Sequence, residues 1–226
     1  AMGCLFQVLL LLALLFRGLA PPSEEAATPE PERPRSVQVA AVQCPSVLGD
    51  VEGNRARLTA LIVEAAEHGA RVVVLPEAAV TGYLSQDLTE SWHVPGRPLE
   101  PGFAGVDPAE AAETVPGPST RHFCALARRL SIYLTVPLVE VAGEGEECRY
   151  FNTVCLASPA GELVAHYRKL TPWPYPEKSW ATAGDRGIQT FDTEFGRVGL
   201  AICFDIHTIL DRYREREDTW REEATS

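Results

Sequence analysis

Positive charge is scarce in this chain. Its 20 Lys plus Arg stand against 31 Asp plus Glu, a formal charge of -11, so it lacks the basic footprint that a phosphate backbone requires, and nucleic acid is excluded as a partner. None of the six cysteines forms a Cys-x-x-Cys pair, and no His stands at zinc-ligand spacing, which argues against a structural metal site. No motif calls for a cofactor. A second long apolar run is missing too: the single one, Leu5 to Phe16, is about 12 residues long, short of the roughly 20 that a membrane span needs. No stable membrane span is expected, and an enzyme with several spans is disfavoured. No internal repeat is evident. What remains is 46% hydrophobic, with 8 Phe, 6 Tyr and 4 Trp, enough to bury a sizeable core and to exclude bulk disorder.

The two ends differ from the middle. Residues 1–20 read as a signal peptide: the apolar run is followed by Gly18-Leu19-Ala20, which puts small residues, Gly18 and Ala20, at the two positions a signal peptidase reads. Secretion or export is the expected localisation, with a membrane-anchored chain, acylated near Gly3 and Cys4, as the alternative. Residues 21–36 are rich in Pro and charge, carry no aliphatic side chain larger than Ala, and read as a linker. In an exported chain Cys148 and Cys155 are candidates for a bridge; otherwise both are free thiols.

Between 37 and 207 the pattern is that of a mixed α/β domain. Val37 to Gln43 and Arg71 to Leu75 are apolar, strand-like runs. Between them Val51, Leu58, Leu61, Ile62, Ala65 and Ala66 recur at helical spacing until Gly69 stops them. Strand, helix, strand at this separation predicts a crossover with parallel strands. Residues 84–117 show no period and read as a long surface excursion. A helix opens at Pro118, with Ser119 as its expected N-cap. Ile132 to Val141 and Tyr150 to Ala157 are strands around an acidic turn, 158–162 a hairpin turn into Leu163 to Tyr167, and Arg197 to Ile202 a last buried strand. The tail 208–226 is charged, and from Asp211 on it has almost no apolar content beyond Tyr213, Trp220 and Ala224.

Three side chains able to do chemistry stand just past strand-like runs, where α/β sites collect: Glu77 after VVVLP, Lys169 after LVAHYR and Cys203 after VGLAI. Each has an ordinary reading when taken alone. Glu77 would cap a helix, Lys169 end a strand in solvent and Cys203 be an inert core thiol. Together they form a plausible set: a thiol needs a carboxylate to take its proton before it can attack an amide or nitrile carbon, and an ammonium can hold the oxyanion that results. His166 reads as structural or surface-lying; His207 raises a Cys-His alternative that sequence alone does not place in space.

The segments LPEAAVTGY (75–83), YRKLTPWPYPEKSWATAGD (167–185) and GLAICFDI (199–206) resemble the carbon-nitrogen hydrolase, or nitrilase, superfamily, and the lysine-bearing loop is most similar to its aliphatic amidase and formamidase branch. The resemblance implies a four-layer α-β-β-α sandwich, no cofactor, and a small-molecule amide substrate. It makes Glu77 the general base, Lys169 the oxyanion-stabilising cation and Cys203 the nucleophile. Glu177 and the Phe204 amide would support them, and Tyr83, Trp173 and Trp180 would line the pocket, with Tyr175 beside them; packing is the ordinary reading of those aromatics, and pairing with Lys178 or Arg186 in solvent that of Glu177. Against the family pattern, the strands expected after Cys203 do not follow, so the sandwich is expected to be incomplete at its C-terminus. A homo-oligomer or association with a full-length relative would cover the exposed sheet. An inactive chain that binds such a relative, and an N-acyltransferase of the same superfamily, are the alternative functions.

Overall fold

The computed structural model describes residues 36–84, 106–174, 177 and 180–209. The leader, nearly all of the 21–36 linker, Tyr175, Lys178 and the tail beyond 209 lie outside the described residues. Strands β1 (Val39–Ala41), β2 (Val72–Val74), β3 (Tyr133–Ala142), β4 (Arg149–Ala157) and β5 (Leu163–Arg168) form one sheet in that order. β1 and β2 are parallel, as the strand-helix-strand spacing predicts, and β3 runs parallel to them, while β4 runs antiparallel to both β3 and β5. β5 therefore points the same way as β2. That shared sense brings the ends of two strands distant in sequence to one edge of the sheet.

Helix α1 (Val51–Glu67) lies between β1 and β2; Asp50 caps it by accepting from the Gly53 N–H at 3.0 Å. It ends where expected, two residues before Gly69, whose φ of 92° only glycine adopts without strain. A short helix α2 (Pro108–Ala111) and then α3 (Pro118–Leu130) precede β3. Leu58 and Ile62 of α1, Phe123 and Ala127 of α3, and Val73, Leu134, Val136 and Cys155 of the sheet make the main apolar core. Each apolar side chain buried this way contributes about 1.5–3 kcal/mol.

Four expectations are corrected. The N-cap of α3 is Gly117, and Ser119 lies within the helix, where its N–H and hydroxyl donate to the Glu113 carboxylate at 2.7 and 2.9 Å. An acid from the preceding loop thus satisfies amides that a serine cap would otherwise serve. The 84–117 stretch is not wholly a surface excursion: Leu84 is buried and α2 is helical. Cys148 and Cys155 are both free; Cys148 precedes β4 and Cys155 lies well along it, on the order of 20 Å away at 3.3 Å per residue, too far to bridge. Finally, 197–202 is no buried strand. β7 (Gly196–Gly199) pairs with β6 (Thr190–Thr193) as a separate hairpin, and Val198 is 38% exposed because β6 is its one partner among the described residues. Leu200 to Ile202 leave the ladder.

Candidate active site

Glu77 follows β2 in a compact turn in which the buried Ala78 takes a left-handed φ of 51° and Gly82 a φ of 77°. Any Cβ at position 82 would stand 2.9 Å from the Leu48 backbone, so glycine lets the turn fold back onto the chain. Lys169 follows β5, and its backbone N–H extends the sheet by donating to the Asn152 carbonyl at 2.8 Å. The parallel sense of β2 and β5 brings the two side chains together: Lys169 Nζ donates to Glu77 Oε1 at 2.8 Å. It donates also to Glu177 Oε2 at 2.7 Å. An ammonium has three donors, and the third has no partner among the described residues.

Glu177 is fully buried, so its pairing with Arg186 in solvent is excluded. Besides Lys169 it accepts hydrogen bonds from Asn152 Nδ2 and from the Trp173 backbone N–H. Tyr83 adds its hydroxyl to Glu177; burial first, then the negative charge of Glu177 and Glu77, holds that phenol protonated well above the usual tyrosine range. Burial alone would pull the Lys169 ammonium down, but the hydrogen bonds and charges of Glu177 and Glu77 outweigh it and raise its pKa. A lysine so held is more firmly cationic than one free in water.

Cys203 sits in the turn between Ile202 and the helical segment 205–209, with a φ of 44°, a left-handed conformation rare for a residue with a Cβ. It is exposed, and with Glu77 and Asn152 it lines a cavity of about 340 Å³ whose other walls are mostly apolar: Val72, Val74, Pro137, Val154, Leu200 and Ile202 among them. Partial burial, then the Glu77 carboxylate, raises the thiol above its usual range, while Lys169 draws it down. The resting sulfur is therefore a thiol whose proton faces a carboxylate. Asp205 fixes the turn, accepting from the Tyr167 hydroxyl at 2.6 Å, from Thr171 N–H at 2.8 Å and from Ile202 N–H at 3.2 Å.

The remaining predicted residues fall in varied places. Phe204 directly follows Cys203, half-buried, its ring tilted against that of His207 at 5.2 Å. Trp173 is half-buried beside Glu177, whereas Trp180 is 7% exposed and packs with Leu84, Ala111 and Val139. His166 is structural: its Nε2 lies 2.8 Å from Glu140, which also binds Arg168 at 2.6 Å and Thr153 at 2.7 Å. Arg168 further pairs with Asp185 and lies 3.8 Å over the Phe151 ring. This network anchors β5 on the face opposite Lys169.

Asn152 and Asp205 were missed by sequence reasoning. The signal was there, an amide and an acid inside the otherwise apolar runs YFNTVCLA and GLAICFDI. Among the described residues no cluster of three or more His, Cys, Asp or Glu is suited to a metal ion, and no helix is long and apolar enough to cross a membrane.

A family model described as carbon-nitrogen hydrolase matches residues 38–218. An aliphatic nitrilase of Sinorhizobium fredii is 31% identical over 175 residues, 77% of this chain and 55% of its own length. A bifunctional nitrilase/nitrile hydratase of Nicotiana tabacum is 27% identical over 170 residues, 75% of this chain and 47% of its own. The chain thus spans about half the length of the curated relatives it matches. Among solved structures, a mutant amidase from Nesterenkonia sp. AN1, carrying the acetamide moiety of fluoroacetamide covalently on its active-site cysteine, superposes with a TM-score of 0.56 at 21% identity, over 77% of this chain and 59% of that one.

Proposed function

Because the chain belongs to the carbon-nitrogen hydrolase family, we propose that it hydrolyses a non-peptide C–N bond of a small amide, with nitriles as the second substrate class, through a thioester on Cys203. Glu77 takes the thiol proton, and the sulfur attacks the carbonyl carbon. Negative charge gathers on the oxygen, where the third N–H of Lys169 and the Phe204 amide stabilise it; one such donor contributes about 3–4 kcal/mol. The C–N bond breaks, Glu77 returns its proton to the nitrogen, and ammonia leaves. Water, deprotonated by Glu77, then attacks the thioester, releasing the acid and restoring the thiol.

The observation that carries the reading is Lys169 Nζ, 2.8 Å from Glu77 and 2.7 Å from Glu177 beside a cavity that Cys203 lines. A cation so fixed needs no reorganisation as charge develops. Tyr83 and Trp173, set around Glu177, would shape the pocket. Ammonia release from short aliphatic amides tests the proposal: turnover by the wild-type protein that vanishes in Cys203→Ala supports it, and equal background rates from two folded proteins reject it. The leader-like residues 1–20 favour export as the setting, which mass spectrometry of the mature N-terminus checks.

A second reading, an inactive chain that associates with a full-length relative, is favoured by the apolar side chains left at the surface: Val74 and Val198 at 38% and Ile206 at 51% exposure. Co-purification with such a relative and no turnover alone would support it; an active monomer would reject it.

A further inference from the structure

Asn152 is 1% exposed, and its two side-chain N–H groups go to two carboxylates, Glu77 Oε1 at 2.7 Å and Glu177 Oε1. Those partners accept only, so the orientation of the amide is determined: turning it over would set its oxygen against two carboxylate oxygens. The oxygen, Oδ1, is buried and has no hydrogen-bond partner among the described residues. Native proteins rarely leave such an acceptor unpaired, and one that is unpaired calls for a specific explanation. Its place in β4 suggests one. Asn152, Val154 and Leu156 alternate onto the strand face that lines the Cys203 cavity, while Phe151, Thr153 and Cys155 meet Arg168, Glu140 and the helical core.

We propose that Asn152 Oδ1 accepts an N–H of the scissile carboxamide, making this residue the determinant that selects amides over acyl compounds without an N–H donor. The inference rests on the reading of Cys203 as nucleophile. A carboxamide presents its oxygen to the Lys169 ammonium and its nitrogen to Asn152. A ketone or an ester of the same shape fits the apolar walls but leaves the acceptor unpaired, and sites built around a buried hydrogen bond reject such analogues strongly. The same side chain holds Glu77 through Nδ2. In acylation the proton taken from sulfur by Glu77 passes to a nitrogen aligned by Asn152, and ammonia departs with that proton and its own two.

Binding and turnover test this separately. In the Cys203→Ala protein, saturation-transfer NMR compares propionamide with its ketone isostere, 2-butanone. The amide is expected to bind at least about tenfold more tightly, the preference to vanish in Asn152→Ala, and to persist in Asn152→Asp, whose carboxyl, held neutral between two carboxylates, keeps an oxygen in place. Equal binding of the two probes, or a preference that survives in folded Asn152→Ala, overturns the inference. With Cys203 restored, kcat/KM for propionamide should fall at least about tenfold more than that for methyl propionate on Asn152→Ala; equal falls overturn the inference and leave the hydrolase reading standing. Amide-selective binding without any turnover by wild type overturns the hydrolase reading and supports the binding role.

Discussion

Lys169 Nζ lies 2.8 Å from Glu77 Oε1, joining side chains 92 residues apart in the chain. The same nitrogen is the partner of the fully buried Glu177. The pair is worth little as a net source of stability, since both charges gave up water to form it, but removing one member is costly.

Lys169→Met is therefore expected to abolish amide turnover and to lower the unfolding free energy by about 3–5 kcal/mol, the cost of a buried carboxylate without its cation. Adding Glu177→Gln should recover part of the stability and none of the activity. Denaturant titration of the single and double variants measures both; a single variant as stable as wild type would contradict the arrangement.

The thiol of Cys203 is raised by burial and by Glu77, and lowered by Lys169. Its alkylation by iodoacetamide should still be accelerating above the pH at which an ordinary thiol levels off. Glu77→Gln removes a charge that favours the protonated form, so the midpoint is expected to move down. Lys169→Met should move it up. Rate against pH for the three proteins gives the signs directly.

Acid stability should depend on Glu140. Burial pushes this carboxyl up, but hydrogen bonds from His166, Arg168 and Thr153 outweigh that and hold it down at about 2, against 4.5 when unperturbed. With the folded value depressed, its stabilisation is complete above about pH 4.5 and is lost as pH falls toward 2, because there the unfolded chain binds a proton that the folded one does not. Glu140→Gln should flatten stability across that window. At neutral pH it should be less stable by about 3 kcal/mol, leaving Arg168 with only the more exposed Asp185 as a charge partner.

Backbone strain at Cys203 predicts an inversion. Cys203→Ala keeps a Cβ at a φ of 44°, whereas Cys203→Gly does not. The glycine variant should be the more stable by about 1 kcal/mol, despite its greater freedom when unfolded, or about 2–4 °C in Tm for a domain of this size. Both should be inactive. Calorimetry on the two proteins decides it.

Much of this was legible because Glu77, Lys169 and Cys203 are chemically conspicuous residues just past apolar runs, and because the α1 spacing forces β1 and β2 into parallel register. Asn152 and Asp205 were not. In a strand, a polar residue on one face reads as solvent-facing, and only the fold reveals that the face of Asn152 looks onto two carboxylates. Arg197 to Ile202 misled for the opposite reason: its apolar side chains suit a buried strand, yet all four of them, Val198, Leu200, Ala201 and Ile202, line a cavity. Trp180 shows the same limit, since an indole in a motif loop reads as pocket lining while its large apolar surface favours the cluster around Leu84.

Arg168 and Lys169 are neighbours in sequence whose side chains serve opposite sides of β5, one bound to Glu140 and the other to Glu77 and Glu177. Inserting or deleting a single residue upstream in that strand would turn each of them to the other's face. An insertion would bring the broad guanidinium fork into the space shaped for an ammonium, and a deletion would bring the shorter cation to the place facing Glu140. For this stretch the spacing of the reading frame is a stricter constraint than the identity of most side chains within it: many point substitutions there leave both cations in place, whereas a lost or gained codon relocates them together.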